Sequence, residues 1–101
     1  MGTLSAARLP TRFLSSPIEL HVPMKINELW VLNQRPFVIE RIQFEQRLEA
    51  IEWWEPVRIF RDYFRVWLAA VEGRNTAREG LEVLAYVDRD NGKSYVQALY
   101  D

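Results

Sequence analysis

The sequence predicts a mainly β protein: a compact antiparallel sheet or half-open small barrel of five to six strands, with at most one short helix. Side chains over residues 60–71 alternate between apolar and aromatic or basic, which is the period of a strand. Asn91-Gly92 separates two strand-like runs and is the preferred two-residue hairpin connection. Short apolar runs between turn-forming residues cover most of the remaining chain. At 101 residues these strands make one domain.

Composition excludes several functional classes. Thirteen basic and fourteen acidic residues give a net charge of −1, whereas nucleic-acid-binding domains are usually strongly basic. There is no cysteine and only one histidine, so thiolate and histidine-cluster metal sites are excluded. No catalytic motif or phosphate-binding glycine loop is present. We therefore expect no enzyme activity, no catalytic residue, no bound metal and no cofactor.

The first half of the chain predicts a flexible lead-in over residues 1–15 and a single β domain over residues 16–101. Residues 18–22 alternate as a strand that Pro23 ends. A second strand-like pair predicts a hairpin around residues 33–35. No apolar run reaches the length of a membrane span, so we expect a cytoplasmic protein without membrane contact.

Residues 43–54 allow two interpretations. Phe44, Leu48 and Ile51 are spaced as on one side of a helix, and the composition also favours a helix. A period of two nevertheless continues from the preceding strand. We expect a short helix here, with Glu45 and the glutamates that follow it forming a solvated stripe.

The last part of the chain predicts a strand over residues 60–71, a long polar loop over residues 72–80 and the Asn91-Gly92 hairpin. A two-residue turn sets the strand register. The predicted pairs are Asp90–Lys93, Asp88–Tyr95, Tyr86–Gln97 and Leu84–Leu99 on one face, and Val87–Val96, Ala85–Ala98 and Val83–Tyr100 on the other.

If these strands form a meander, aromatic and basic side chains collect on one side of the sheet. We name this side the aromatic-basic face; its candidate binding residues are Arg61, Tyr63, Arg65, Trp67, Tyr86 and Tyr95, and Gln97 would accompany them. Aromatic rings interleaved with arginines can stack bases and contact phosphates of single-stranded nucleic acid. The same residues also stabilise a half-exposed sheet by cross-strand pairing, and they are enriched at protein interfaces.

Trp53 and Trp54 are adjacent, so on a strand they would point to opposite sides. One is expected in the core, and Trp54 is a further candidate for the binding surface.

Four segments in order resemble a pattern of a known family: WW at 53–54, RDYFRV at 61–66, YVDRDNG at 86–92 and YVQALYD at 95–101. The pattern is similar to the C-terminal region of ImuB, a catalytically inactive relative of bacterial translesion DNA polymerases, and to small stand-alone bacterial proteins of unknown function. Tyr95 stands where the family usually has Trp, and Val87 where it often has Arg. The resemblance covers about residues 16–101 and implies an accessory role in DNA-damage tolerance.

The leading functional hypothesis is therefore a non-enzymatic protein-interaction module linked to bacterial DNA-damage tolerance. The alternative is a single-stranded nucleic-acid-binding domain that uses the aromatic-basic face. The sequence leaves the identity of the protein partner and the oligomeric state open.

Overall fold

A computed structural model describes residues 10, 12–52, 57–72 and 75–100. Within these ranges the chain forms strands and no helix, which confirms the predicted mainly β class. The strands form one antiparallel sheet in the order β1-β6-β5-β4-β3-β2. Their bounds are β1 Arg12–Leu20, β2 Leu29–Leu32, β3 Arg35–Glu52, β4 Val57–Glu72, β5 Asn75–Asp88 and β6 Ser94–Tyr100.

The sheet curls into a half-barrel whose two edges, β1 and β2, follow each other in the chain. Residues 21–28 connect them, and Val22 and Met24 from this connection pack against the core. The connection is tied to β3, because Asn27 N–H donates to the Ile39 carbonyl (2.8 Å) and Ile39 N–H donates to the Glu28 carbonyl (3.0 Å). We call the gap between the two edge strands the seam.

The core lies on the concave side of the sheet. Trp30 is its largest fully buried side chain, with no exposed surface. β4 contributes alternate residues, as its period of two predicts, and β5 and β6 contribute the residues that pair with them. The buried core residues are Leu20, Trp30, Leu32, Phe37, Ile39, Val66, Leu68, Ala70, Val83, Ala85 and Val96.

The predicted helix over residues 43–54 is wrong for the part that the structure describes. β3 continues to Glu52 and pairs with β4 along its length; residues 53–54 lie outside the described ranges. The register shifts at Glu40 and again at Glu45, so each of these residues is extra on β3. Such bulges interrupt the alternation of a strand. The spacing of Phe44, Leu48 and Ile51 and the composition are what made this stretch resemble a helix.

Two predicted boundaries also differ from the structure. β1 begins at Arg12 and therefore includes four residues that the sequence assigned to the lead-in. The predicted loop over residues 72–80 is wrong, because β5 begins at Asn75 and pairs with the end of β4. Only residues 73–74 separate these strands, and they lie outside the described ranges. Pairing with a long neighbour overrides a polar composition, since strand preference depends mostly on context.

The hairpin predicted around residues 33–35 is confirmed. Asn33 and Gln34 have φ angles of 52° and 66° and form a two-residue turn between β2 and β3. Positive φ at both positions is the requirement of a type I′ turn.

Asn91-Gly92 does not form the predicted two-residue turn. Gly92 has a positive φ of 74°, but Asn91 does not. Asp88 N–H donates to the Lys93 carbonyl (2.9 Å), so residues 89–92 form the connection. The Asn91 side chain accepts a hydrogen bond from Lys93 N–H (2.7 Å) and closes the end of the turn.

The longer turn changes the pairing of β5 with β6. The observed pairs are Val87–Ser94, Tyr86–Tyr95, Ala85–Val96, Leu84–Ala98, Val83–Leu99 and Glu82–Tyr100, so all the predicted pairs are wrong. Near the turn each β5 residue pairs with a β6 residue two positions earlier than predicted. A shift of two leaves each side chain on its predicted face. Gln97 is an extra residue on β6, so beyond it the faces exchange and Tyr100 joins the aromatic-basic face beside Glu82.

Replacing Gln34 with glycine is expected to stabilise the fold by about 0.5–1 kcal/mol. A left-handed conformation costs a non-glycine residue roughly 1–2 kcal/mol, and glycine's extra backbone entropy offsets about half of that gain. Gln46→Gly is the control, because Gln46 is also exposed but lies inside β3, where glycine destabilises. Urea unfolding measures both variants, and an equal loss of stability in both would contradict the expectation.

Candidate functional site

The structure places the candidate residues Arg61, Tyr63, Arg65, Trp67, Tyr86 and Tyr95 on one face of the sheet, the convex side opposite the core. Trp54 lies outside the described residues. The face is far less open than the sequence suggested. Tyr63, Arg65 and Tyr86 are buried, while Arg61, Trp67 and Tyr95 are half-buried.

Three tyrosines form a continuous row across β4, β5 and β6. Tyr63 and Tyr86 have ring centroids 5.4 Å apart, and Tyr86 stacks on Tyr95 at 5.1 Å. Arg61 lies over the Tyr86 ring at 4.3 Å and donates a hydrogen bond to the Tyr63 hydroxyl (3.2 Å). Burial raises the pKa of the Tyr86 hydroxyl, an effect that the nearby Arg61 charge partly opposes. Tyr86 already contacts Tyr63, Tyr95 and Arg61, so a base would have to displace these contacts to stack on it.

Arg65 is the charged centre of the face and is held between two carboxylates. Its guanidinium lies 3.2 Å from Glu45 Oε1 and 3.3 Å from Glu82 Oε2, and it stacks over Tyr100 at 4.5 Å. Only 9% of the Arg65 side chain is exposed. Its charge is therefore balanced within the protein, and phosphate binding would require breaking these pairs.

Sequence reasoning missed Glu45 and Glu82 as members of this face. Glu45 was expected in a solvated helical stripe, but it is the bulged residue of β3, and the bulge directs it to Arg65. Glu82 sits opposite Trp67 and Tyr100, a position that follows from the observed register alone. No local pattern identified either residue.

Trp67 carries the more exposed part of the face. Arg41, an exposed residue of β3, lies over its ring at 4.5 Å. This contact is a cation–π pair of the kind that stabilises a sheet surface by about 0.5–1 kcal/mol. The indole face nearest to Arg41 is thus also occupied.

A second aromatic-basic cluster surrounds Phe60, on the same side of the sheet as the core. The guanidinium groups of Arg89, Arg58 and Arg47 lie 4.6, 5.2 and 6.0 Å from the ring centroid. Asp62 accepts a hydrogen bond from Arg47 (2.7 Å) and lies 3.7 Å from Arg89. The Arg47 hydrogen bond is the main reason that the pKa of Asp62 lies below its ordinary value. These arginines too have carboxylate partners.

The edge strand β2 presents a different surface. Leu29 and Val31 are 50% and 65% exposed, and Ile26 in the preceding turn is 45% exposed. Trp30 and Leu32, which alternate with them, are buried. β2 therefore has one side in the core and an apolar side in solvent, which we call the edge patch, made of Ile26, Leu29 and Val31.

The two sheet edges differ in how they resist pairing with another chain. β1 contains Pro17, and its register with β6 is irregular between Phe13 and Ile18. Proline and irregular pairing are the usual protections of an edge strand. β2 contains neither proline nor a charged residue. Its length of four residues limits how far another chain can pair with it, but it carries neither of the devices found in β1.

A small cleft of about 190 Å³ opens at the seam. Glu19 and Leu20 of β1 and His21 and Val22 of the connection line one side of it, and residues 29–31 of β2 line the other. Trp30 Nε1 is buried and has no hydrogen-bond acceptor among the described residues. The cleft thus has a mostly aliphatic and aromatic lining that also includes the polar side chains of Glu19 and His21.

Comparison of the chain with protein-family models, curated proteins and solved structures returns no match. Over the described ranges, no cluster of three or more histidine, aspartate or glutamate side chains is arranged to hold a metal ion. The described part of the chain also contains no helix with the length and apolarity needed to cross a membrane.

Proposed function

We propose that this chain is a non-enzymatic protein-interaction module whose contact surface is the β2 edge with its edge patch. The observation that carries the proposal is the combination of exposed Leu29 and Val31 with an edge strand that contains neither proline nor a charged residue. An exposed apolar strand edge invites pairing with another chain, and natural proteins retain one where a partner covers it.

The geometry of the aromatic-basic face favours this function over single-stranded nucleic-acid binding. Nucleic-acid grooves need cations free to meet phosphates and ring faces free to stack bases. Here Arg65 is paired with two carboxylates, and Tyr86 stacks on Tyr95 and also has the Arg61 guanidinium over its ring. The aromatic-basic face thus serves the stability of the sheet.

The resemblance to the C-terminal region of ImuB supplies the proposed context, which is an accessory role in bacterial DNA-damage tolerance. Residues 61–66 of that pattern supply Tyr63 and Arg65, both of which are buried within the sheet. A pattern conferring fold stability is compatible with different partners in different relatives. The edge patch would then determine which partner this chain binds.

Site-specific photocrosslinking in cells of the source organism tests the proposal. A photoreactive phenylalanine analogue replaces Val31 in one variant and Phe13 in the control, because Phe13 is 60% exposed on the opposite edge. We expect a discrete crosslinked protein from position 31 that is absent from position 13. The adduct should disappear when Leu29→Glu is added, since a charge at the patch disfavours apolar contact.

The proposal would be contradicted if position 31 formed no adduct, or if both positions gave the same set of adducts. Titration of labelled single-stranded DNA, followed by fluorescence anisotropy at two salt concentrations, tests the rival function. Saturable binding that weakens steeply with salt would show phosphate contacts and favour the nucleic-acid function instead.

A further inference from the structure

Alternate residues of β2 direct their backbone N–H and C=O groups away from β3, and no strand among the described residues pairs with that edge. In an antiparallel pair, alternate residues exchange hydrogen bonds with the neighbour and the others point outward. Leu32 and Arg35 flank the two-residue turn and exchange hydrogen bonds with each other. Ile39 N–H donates to the Glu28 carbonyl, so the hydrogen-bonded positions recur at every second residue from Leu32 back to Glu28. Leu29 and Val31 are therefore the residues whose N–H and C=O groups face the seam.

From this arrangement, and resting on the interaction function proposed above, we propose that the partner contributes an extended segment that pairs with β2 as an added strand at the seam. The outward N–H and C=O groups of Leu29 and Val31 supply the hydrogen bonds. Backbone groups of this kind are matched by another extended chain and not by a helix or a small molecule. The partner is thus a protein segment in β conformation.

Side chains of the added strand would alternate between two environments. On one side they would lie beside the edge patch, next to Leu29 and Val31. On the other they would face the seam cleft, whose volume of about 190 Å³ suits one large apolar side chain between Leu20, Val22 and Trp30. The segment recognised should therefore alternate, with an apolar residue at the cleft.

The size of the surface distinguishes this occupant from a second copy of the chain. β2 is four residues long, and the edge patch beside it consists of the three side chains of Ile26, Leu29 and Val31. A standard interface takes about 800 Å² from each partner, far more than this patch can supply. A symmetric β2–β2 dimer would not be stable by itself. A peptide segment that binds weakly and reversibly matches the available area.

A random twelve-residue peptide library displayed on phage, selected on the folded full chain, provides the probe. The test variant is Val31→Pro, which removes an outward N–H while leaving the hydrogen bonds between β2 and β3 intact. The matched control is Val31→Thr, which keeps that N–H and the β-branched shape. Circular dichroism and thermal unfolding check that both variants remain folded.

We expect selected peptides with alternating apolar and polar residues. Their affinity should fall at least about tenfold for Val31→Pro, as expected for a lost hydrogen bond and a blocked edge, and about threefold or less for Val31→Thr. Amide hydrogen exchange should slow at Leu29 and Val31 on binding, while the amides of Trp30 and Leu32, already bonded to β3, change little.

Peptides N-methylated on alternate residues decide between strand addition and simple apolar contact. In one version the methyl groups block the N–H groups on one edge of the extended peptide, and in the other version they block those on the opposite edge. Strand addition uses one edge only, so one version should lose binding and the other should keep it. Equal binding of both would overturn strand addition and leave the interaction module intact. Failure to enrich any peptide on the native chain over Val31→Pro would also overturn it, whereas the interaction function depends separately on the photocrosslinked adduct.

Discussion

Replacing Arg65 with alanine is expected to destabilise the protein by about 3 kcal/mol. The substitution leaves Glu45 and Glu82 close to one another without their shared counter-charge, and both side chains are mostly buried. Removing one partner of a buried ionic group typically costs about 3–5 kcal/mol. The midpoint of thermal unfolding should fall by about 10 °C or more for a domain of this size. Urea unfolding monitored by tryptophan fluorescence provides the free energy.

Arg41→Ala is the matched control, because Arg41 stacks on Trp67 from an exposed position. Arg41→Ala should lower the free energy of unfolding by about 1 kcal/mol or less. A triple variant, Arg65→Met with Glu45→Gln and Glu82→Gln, should be more stable than Arg65→Ala because no uncompensated charge remains. A loss below about 1 kcal/mol for Arg65→Ala would show that this ionic group does not hold the sheet together.

The stability of the Arg65 variant also affects how binding experiments are interpreted. If Arg65→Ala unfolds part of the sheet, a loss of partner or DNA binding in that variant does not identify Arg65 as a contact residue. Substitutions in the edge patch avoid this difficulty, since Val31 is 65% exposed. Arg65 is thus expected to act through the fold.

Replacing Trp30 with alanine is expected to have the largest effect, a loss of about 4 kcal/mol. Trp30 is fully buried and is the largest such side chain in the core. Truncating a buried Trp or Phe to alanine costs about 3–5 kcal/mol because it removes buried apolar surface and leaves a cavity. β2 is only four residues long, so its attachment to the half-barrel depends heavily on this one side chain. Differential scanning calorimetry and urea unfolding measure the loss.

The variant Trp30→Phe distinguishes the contribution of the side chain's volume to stability from that of its N–H group. Phenylalanine preserves most of the apolar contact, and the deleted N–H has no acceptor among the described residues. Its effect should be less than half that of the alanine variant. Leu48→Ala, at a position 37% exposed, should cost about 1 kcal/mol or less. Equal losses for the phenylalanine and alanine variants would show that the indole N–H is bonded and contributes to stability.

The strand content and the two faces of β4 could be predicted because they depend on a local period. Phe64, Val66 and Leu68 alternate with Tyr63 and Arg65, and any strand places these two sets on opposite sides. The Asn33-Gln34 turn was also within reach, since polar residues between apolar runs are typical of hairpins.

Register, bulges and burial depended on partners distant in the sequence. The extra residues Glu40, Glu45 and Gln97 are defined only by the strands beside them. Asn91-Gly92 has the composition of a two-residue turn, yet the pairing of β5 with β6 selected a longer one. The residues of the turn are compatible with both turn lengths. The turn that forms is the one that allows the more stable pairing of β5 with β6.

The residue pattern alone is enough to predict a β protein with an aromatic-basic face on one side of its fourth strand. The three-dimensional arrangement of the strands is needed to show that this face is largely buried and charge-paired, and that β2 is an edge with exposed apolar side chains. Alternation along a strand is a property of neighbouring residues. Whether a strand is an edge, and whether Arg65 meets Glu45 and Glu82, depends on which strands the curled sheet brings together.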